Sequence, residues 1–196
     1  MTKPHGEAPA LSAASAFERG ALLRDAFLVV AGSGVLALSA QIQVPAFPVP
    51  ITLQSFAVVA LAMVFGPRLG VGMVLAYLAE GAAGLPVFAG FKAGLPHLVG
   101  PTGGYLLGFV VTAWLAGMLA ERGWAKGLAK PFVNAMAAHL VLLTIGTLYL
   151  GSVIGFTAAF WAGFAPFIIG SVLKSALVAT LIKATDGVRR CLPVLR

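Results

Sequence analysis

Long apolar stretches alternate with short polar, glycine-rich or proline-rich segments along most of the chain. A helix needs about 20 mostly apolar residues to cross the hydrocarbon of a bilayer. Six stretches come close to this length: 26–42, 50–66, 69–86, 103–120, 131–151 and 165–184. The pattern therefore predicts an all-α integral membrane protein that folds as a bundle of six transmembrane helices. The predicted organisation is an N-terminal segment at 1–24, a transmembrane domain at 25–185 and a C-terminal tail at 186–196.

The composition agrees with a membrane protein. Of the 196 residues, 60% are hydrophobic and 10% are charged, whereas a soluble domain carries about 25% charged residues. The single cysteine, Cys191, excludes an intrachain disulfide and a cysteine metal cluster. No Walker motif is present either.

The positive charges predict an orientation in the membrane. Of the 13 lysines and arginines, 11 fall at the two termini and in the connections that follow the second and fourth predicted helices. The other connections carry only Lys92, and Lys174 lies within the sixth helix. Cytoplasmic segments are rich in lysine and arginine, so both termini are expected in the cytoplasm. The net charge of +7 forms no basic stripe and does not indicate nucleic-acid binding.

The three connections on the predicted outer side are nearly uncharged and contain many glycine, proline and aromatic residues. They cover 43–52, 81–102 and 151–166. Irregular backbone at membrane depth is tolerated where it is buried in protein or lines a cavity. These segments therefore predict a lid or a pocket rather than solvated linkers.

Lys174 is the most informative single residue. It lies eight residues after Pro166, which places it roughly 12 Å along the helix at 1.5 Å per residue. An ionisable side chain within a membrane helix indicates a functional site, here one for an anionic group such as a carboxylate. The alternatives are pairing with Glu80 or snorkelling. Glu80, the only acidic residue deep in a predicted span, is itself either a proton or cation ligand, the counter-ion of Lys174, or a structural acid.

Further candidates lie where predicted helices begin. In GPTGGY (100–105), the glycines permit close backbone approach, free N–H groups open the helix, and Tyr105 offers a ring with a polar tip. Thr52 and Gln54 place a hydroxyl and an amide at the start of the second helix. The aromatic residues of the outer segments either wall a pocket or form an interface belt. The structural alternatives are a simple turn for the glycines, and helix capping or packing for Thr52 and Gln54.

The first predicted helix contains AGSGVLALSA (31–40), in which Ser33 and Ala37 are small residues spaced by four. Such spacing allows close helix contact, either inside the bundle or with a partner subunit. The stretch is also similar to an intramembrane serine protease motif, but Val30 stands where that motif needs glycine. An intramembrane enzyme using Ser33 or Ser171 with His139 is therefore a minor alternative.

Five motifs taken together resemble the BioY family, the biotin-specific substrate-binding membrane subunits (S components) of energy-coupling-factor (ECF) vitamin transporters. The motifs are PVPITLQ (48–54), GPRLG (66–70), GLPVFAG (84–90), GPTGGYLLGF (100–109) and PFIIGSVLK (166–174). They occur in order from about residue 30 to 184 and in register with the six predicted helices.

The resemblance implies a non-enzymatic, multi-pass protein of the bacterial cytoplasmic membrane that captures biotin from outside with high affinity. Residues 25–185 would then be the substrate-binding domain. The implied partners are an ECF transmembrane T component, which docks on helix 1, and two ATPase subunits. ATP would act only through those partners, and this chain itself would need no cofactor. An S component for another carboxylated vitamin remains an alternative.

One position departs from the family pattern, which commonly has an acid three residues before the lysine of helix 6. Here that position is Ser171, which can bond a ligand but cannot neutralise Lys174. The partner-docking candidates are Ser33 and Ala37. The predicted substrate-binding residues are Thr52, Gln54, Glu80, Phe88, Gly100, Thr102, Gly104, Tyr105, Trp161, Ser171 and Lys174.

Overall fold

The computed structural model describes residues 8–191, with side chains described for 20–185. The helices are α1 (Ala8–Gln41), α2 (Gln54–Ala82), α3 (Leu95–Leu98), α4 (Gly103–Leu119), α5 (Ala129–Ile154), α6 (Phe156–Ala159) and α7 (Ala165–Cys191). A π-helical turn, Ala120–Trp124, extends α4, and a second, Phe160–Phe164, leads into α7. The predominance of helix confirms the predicted class, with one small correction: β1 (Gln43–Val44) and β2 (Ile51–Thr52) pair as a short antiparallel ribbon.

Five helical segments in the described part of the chain are long and apolar enough to cross a membrane. The predicted second and third helices, 50–66 and 69–86, together correspond to α2, which begins four residues later and ends four residues earlier. Within α2, Gly66 has a non-helical backbone with φ of 84°. The amide of Gln54 lies 2.7 Å from the hydroxyl of Tyr77. In one straight helix, residues 23 positions apart would be roughly 34 Å apart. Residues 54–65 and 67–82 are therefore antiparallel arms that lie side by side.

Small residues allow this tight hairpin and the contacts around it. A β-carbon added at Gly70 would come within 2.8 Å of Ala62, and one at Gly117 would meet the backbone of Pro67. Helix α2 packs against α1 and α4, and α5 joins α4 to α7. The buried core between them contains many alanines, which let helix axes approach closely when lipid is the solvent.

Several predicted boundaries were wrong. Helix α1 begins at Ala8 rather than near residue 26. The predicted connection at 151–166 is mostly helical and is interrupted only at Gly155, whose φ is 89°. Its aromatic residues and glycine suggested a loop, yet nothing between 156 and 165 prevents helix formation, because proline first occurs at 166.

The segments 42–53, 83–102 and 155–164 meet at one end of the bundle, which we call the loop end. The Gln41 side chain bonds the backbone of Phe88 at 3.0 Å and that of Phe91 at 3.1 Å. The Tyr149 hydroxyl donates to the Val99 carbonyl at 2.9 Å. The hairpin turn at Gly66 lies at the opposite end, against Gly117. The predicted grouping of the three glycine- and proline-rich segments is therefore confirmed.

Candidate functional site

A small cavity lies below the loop end, between α2, α4, α5 and α7. Its volume is about 50 Å³, and we call it the inner cavity. Apolar side chains form most of its wall, with a few polar groups among them, as in small-molecule sites generally. It is lined by Val49, Pro50, Thr52, Ser55, Tyr105, Phe109, His139, Leu142, Leu143, Phe167, Ser171 and Lys174.

Lys174 extends into the inner cavity from α7. Helical side chains lean toward the N-terminus of their helix, which carries the ammonium group toward the loop end. There it donates to the Thr52 carbonyl at 2.6 Å and to the Ser55 hydroxyl at 3.0 Å. Among the side chains of 20–185, the recorded ion pair joins Arg24 to Asp25 and leaves Lys174 without a carboxylate. A half-buried cation held by neutral oxygens favours an anionic ligand.

Tyr105 and Phe167 form an aromatic wall of the same cavity. Their rings stack with centroids 6.1 Å apart. The Tyr105 hydroxyl donates to the Gly163 carbonyl at 2.8 Å, and it lies 3.3 Å from the Thr147 hydroxyl. The π-helical turn at 160–164 brings that carbonyl inward. This bond ties α4 to the start of α7 and fixes the orientation of the ring.

His139 lies at the floor of the inner cavity. Its Nδ1 is 2.8 Å from the Ala135 carbonyl and 3.1 Å from the hydroxyl of Ser175, the residue that follows Lys174. Since the Lys174 ammonium leans toward the loop end and the His139 ring faces Ser175, the imidazole is the deeper of the two polar groups. The imidazole is 1% exposed.

Four of the predicted substrate-binding residues line this cavity: Thr52, Tyr105, Ser171 and Lys174. Ser55, His139 and several apolar residues also line it, although they were not among the predicted substrate-binding residues. Helical spacing was the available signal, because Phe167, Ser171 and Lys174 are separated by four and three residues and share one face of α7. Helical spacing on α7 does not indicate which residues of α5 face it.

A second cavity of about 330 Å³ lies nearer the loop end, and we call it the outer cavity. Pro50 lines both cavities. Thr102 lines the outer one, where its hydroxyl is 3.4 Å from Nε2 of His97. Burial and then the charge of Lys92 lower the pKa of His97 below its usual value. The outer cavity is lined by Gln43, Pro45, Ala46, Phe47, Pro48, Pro50, Ala89, Gly90, Lys92, His97, Pro101 and Thr102.

Gln54 and Phe88, two of the predicted substrate-binding residues, are buried in the bundle and line neither cavity. The Gln54 amide donates to the Tyr77 hydroxyl at 2.7 Å, and its carbonyl accepts from Thr52 at 3.2 Å. The fully buried Phe88 ring lies 5.5 Å from the ring of Tyr77 and 5.1 Å from that of His97. Gln54 therefore joins the two hairpin arms through Tyr77, and Phe88 packs the 83–102 segment against the second arm.

Glu80 is not the counter-ion of Lys174. Its carboxylate accepts a hydrogen bond of 2.7 Å from the hydroxyl of Ser33, which also donates to the Val30 carbonyl at 2.9 Å. Ser33 is 1% exposed. Ser33 therefore favours the interpretation of 31–40 as a contact inside the bundle, because it holds α1 against α2. Ala37 is partly buried against the core.

The remaining expectations concern glycines and Trp161. Gly104 lies under Tyr149, because an added β-carbon would come within 2.3 Å of that side chain, and Gly100 lies against the Pro96 carbonyl. Trp161 is 69% exposed, so it does not wall the pocket. It lies two residues before the inward-facing Gly163, hence on the opposite side of the helical turn.

Comparisons with known proteins agree with this architecture. The BioY family model matches residues 9–190. A probable biotin transporter BioY of Pyrococcus horikoshii is 35% identical over 84% of this chain and 97% of its own length. The biotin transporter BioY of Thermotoga maritima is 38% identical over 81% and 96%, respectively.

A solved structure has the same fold. It is the crystal structure of the S-component for biotin from an ECF-type ABC transporter, with a TM-score of 0.74 and 21% identity, over 86% of this chain and 93% of that one. The two structures therefore share an arrangement of membrane helices. With the match over nearly the whole sequence, the chain is a member of the BioY family.

Proposed function

We propose that this chain binds biotin and mediates its high-affinity uptake across the bacterial cytoplasmic membrane as the S component of an ECF transporter. The observation that carries the proposal is Lys174, a cation within the membrane domain that contacts only neutral oxygens in a cavity with aromatic walls. The carboxylate of biotin complements the ammonium, and the bicyclic ring of biotin complements the apolar wall. The names of the relatives support the same ligand.

The two arms of α2 count as separate crossings in this proposal, which makes six in total. The loop end then faces outward and both termini face the cytoplasm. The distribution of positive charge supports this orientation, because Arg68 and Arg122 lie near the end opposite the loop end and Lys92 lies at the loop end. Residues 1–24 and 186–196 are then cytoplasmic segments that flank the substrate-binding domain at 25–185.

Biotin reaches the inner cavity from the loop end. Small-molecule sites measure roughly 300–1,000 Å³, so the inner cavity at about 50 Å³ is too small for biotin, whereas the outer cavity at about 330 Å³ falls within that range. Pro50 lies between them. We infer that the 45–50 segment moves aside, which joins the two cavities, and that Lys174 exchanges the Thr52 carbonyl for the ligand carboxylate.

Ser171 fits this exchange. It lines the inner cavity on the same face of α7 as Lys174 and brings no charge. The counter-charge of Lys174 then arrives with the ligand rather than from the protein. A carboxylated ligand is consequently favoured over a neutral one of the same shape.

The energising partners are an ECF T component and two ATPase subunits, and the chain itself needs no cofactor. Since Ser33 is buried, the docking surface for the T component falls on the opposite side of α1. Small, exposed residues away from the Ser33 side include Ala31 and Gly34. A β-carbon added at Gly34 would meet no neighbouring atom, which leaves room for a close helix contact.

An intramembrane enzyme receives no support from the geometry. Ser33 bonds Glu80 rather than a histidine, and the hydroxyl nearest to His139 is that of Ser175 rather than Ser171. The family to which the chain belongs consists of transporters by the names of its members.

A titration of the purified, detergent-solubilised chain with biotin tests the proposal. We expect saturable binding below the micromolar range, measured by isothermal titration calorimetry. Competition with thiamine, riboflavin and lipoate distinguishes biotin from other vitamins, and biotin should not be displaced by any of the three. An absence of saturable binding at micromolar biotin would overturn the proposal.

A further inference from the structure

His139 has one ring nitrogen engaged and one without a partner. Its Nδ1 lies 2.8 Å from the Ala135 carbonyl, which can only accept a hydrogen bond. Nδ1 therefore carries the hydrogen, and in a neutral imidazole Nε2 is then an acceptor. Nε2 is buried and has no hydrogen-bond partner among the described residues.

A buried acceptor without a partner has lost its hydrogen bonds to water and gained none in return. This destabilises the folded protein by about 1–3 kcal/mol. The ring belongs to the lining of the inner cavity. The hydrogen bond from Nδ1 to the Ala135 carbonyl and the contact of Nδ1 with the Ser175 hydroxyl at 3.1 Å hold the ring in its orientation. A fixed acceptor in a cavity recognises a donor on the ligand that enters it.

We propose that His139 is a specificity-determining residue that accepts a hydrogen bond from an N–H group of the ligand through Nε2. The inference rests on the proposed function, in which the ligand is biotin. The cyclic urea of biotin carries two N–H donors, and its carboxylate lies at the far end of the side chain. The deeper position of His139 and the loop-end position of the Lys174 ammonium then orient the ligand with the urea ring inward and the carboxylate outward.

This orientation makes a distinction between ligand classes. A carboxylated ligand with an apolar ring but no N–H, such as lipoate, satisfies Lys174 and leaves Nε2 unpaired. A site built to bond a particular polar group discriminates strongly against ligands that lack it. His139 thus complements Lys174: one residue selects the acid and the other selects the urea.

Two variants separate the ligand contact from the structural contact. His139→Asn retains a donor near the position of Nδ1, so the bond to the Ala135 carbonyl survives, but it removes the acceptor at Nε2. His139→Gln places an amide oxygen near the position of Nε2. Binding of biotin and of biotin methyl ester is measured by calorimetry for both variants and the wild type, and the melting temperature of each unliganded protein is measured in detergent.

We expect His139→Asn to weaken biotin about tenfold and His139→Gln to remain within about threefold of wild type. The tenfold loss should be the same for the ester, because the ester keeps both N–H groups. Equal weakening by Asn and Gln, or a loss below twofold for Asn, would overturn the inference. A loss confined to the acid would also overturn it, since the partner of Nε2 would then be Lys174.

Nuclear magnetic resonance of ¹⁵N-histidine-labelled wild-type protein covers the case in which His139→Asn does not fold. The Nε2 signal of His139, identified after His5→Asn and His97→Asn remove the other two histidines, should shift on saturation with biotin and with the ester. An unchanged signal would count against the inference. If the wild type does not bind biotin at all, the proposed function fails before any variant is compared.

Discussion

Two ionisable side chains within the helical bundle, Glu80 and Lys174, differ in their surroundings. Glu80 accepts a short hydrogen bond from Ser33 and so joins α1 to α2. Lys174 reaches across a cavity to a backbone carbonyl and a hydroxyl, neither of which carries charge. The free-energy cost of removing a charge from water is offset only by well-placed hydrogen-bonding or ionic partners. Glu80 therefore belongs to the architecture, whereas no carboxylate among the described residues pairs with Lys174, as the proposed anion site requires.

Removal of Lys174 should break this comparison most strongly. Lys174→Ala is expected to weaken biotin about 100-fold, because a desolvated charge pair is lost. Biotin methyl ester should weaken only a few-fold, as it lacks the charge. Calorimetry with both ligands measures the difference, and Glu80→Gln is the matched control that should leave both affinities unchanged. Equal losses for acid and ester would mean that Lys174 is structural.

Two leucine substitutions on α1 test whether Ser33 has a structural role and whether Gly34 lies on the docking surface. Ser33→Leu should destabilise the fold by about 1–3 kcal/mol, because it overpacks the contact with Glu80. Gly34→Leu should leave the melting temperature and biotin affinity unchanged but reduce co-purification of the T component. Measurements are thermal unfolding, calorimetry and pull-down of the coexpressed transporter. Loss of co-purification without destabilisation in Ser33→Leu would return the docking surface to that residue.

A substitution at Ser171 tests whether the missing counter-charge matters. Ser171→Asp places a carboxylate on the same face of α7 as Lys174, so the protein competes with the ligand for the ammonium. The preference for biotin over its methyl ester should therefore fall about threefold, with Ser171→Asn as the neutral control. The ratio of the two dissociation constants is the measurement. If the dissociation constant of the ester divided by that of biotin rises in the Asp variant, the assigned role of Ser171 is contradicted.

The smallest expected effect concerns the outer cavity. The folded protein lowers the pKa of His97 through burial and through Lys92. Folding therefore disfavours the protonated form, so the stability contribution is present above the ordinary pKa near 6.5 and is lost as the pH falls below it. His97→Phe, which keeps the stacking on Phe88, should reduce the fall in melting temperature between pH 7 and pH 5. Identical pH profiles would contradict this account.

The features that the sequence predicted are those encoded locally. Hydrophobic length predicts membrane helices such as α4 at nearly the observed bounds, because every backbone group in lipid must bond within its own helix. Lys174 was identifiable in the same way, since a cation inside an apolar run stands out without knowledge of its neighbours. Proline and glycine predicted the loop end because they interrupt helices wherever they occur.

Contacts between distant segments were not readable from the sequence. Gln54 and Trp161 have the chemistry of ligand-binding residues, yet one bonds Tyr77 across the α2 hairpin and the other faces outward from a π-helical turn. The sequence marked His139 only as the partner of a serine in the minor enzyme alternative. Its importance arises because α5 and α7 meet so that Ser175 and Ala135 orient the ring. The chain thus encodes which residues enter the membrane. The packing of its helices assigns partners to some polar groups and leaves others without one among the described residues, such as Nε2 of His139, whose ring lines the inner cavity.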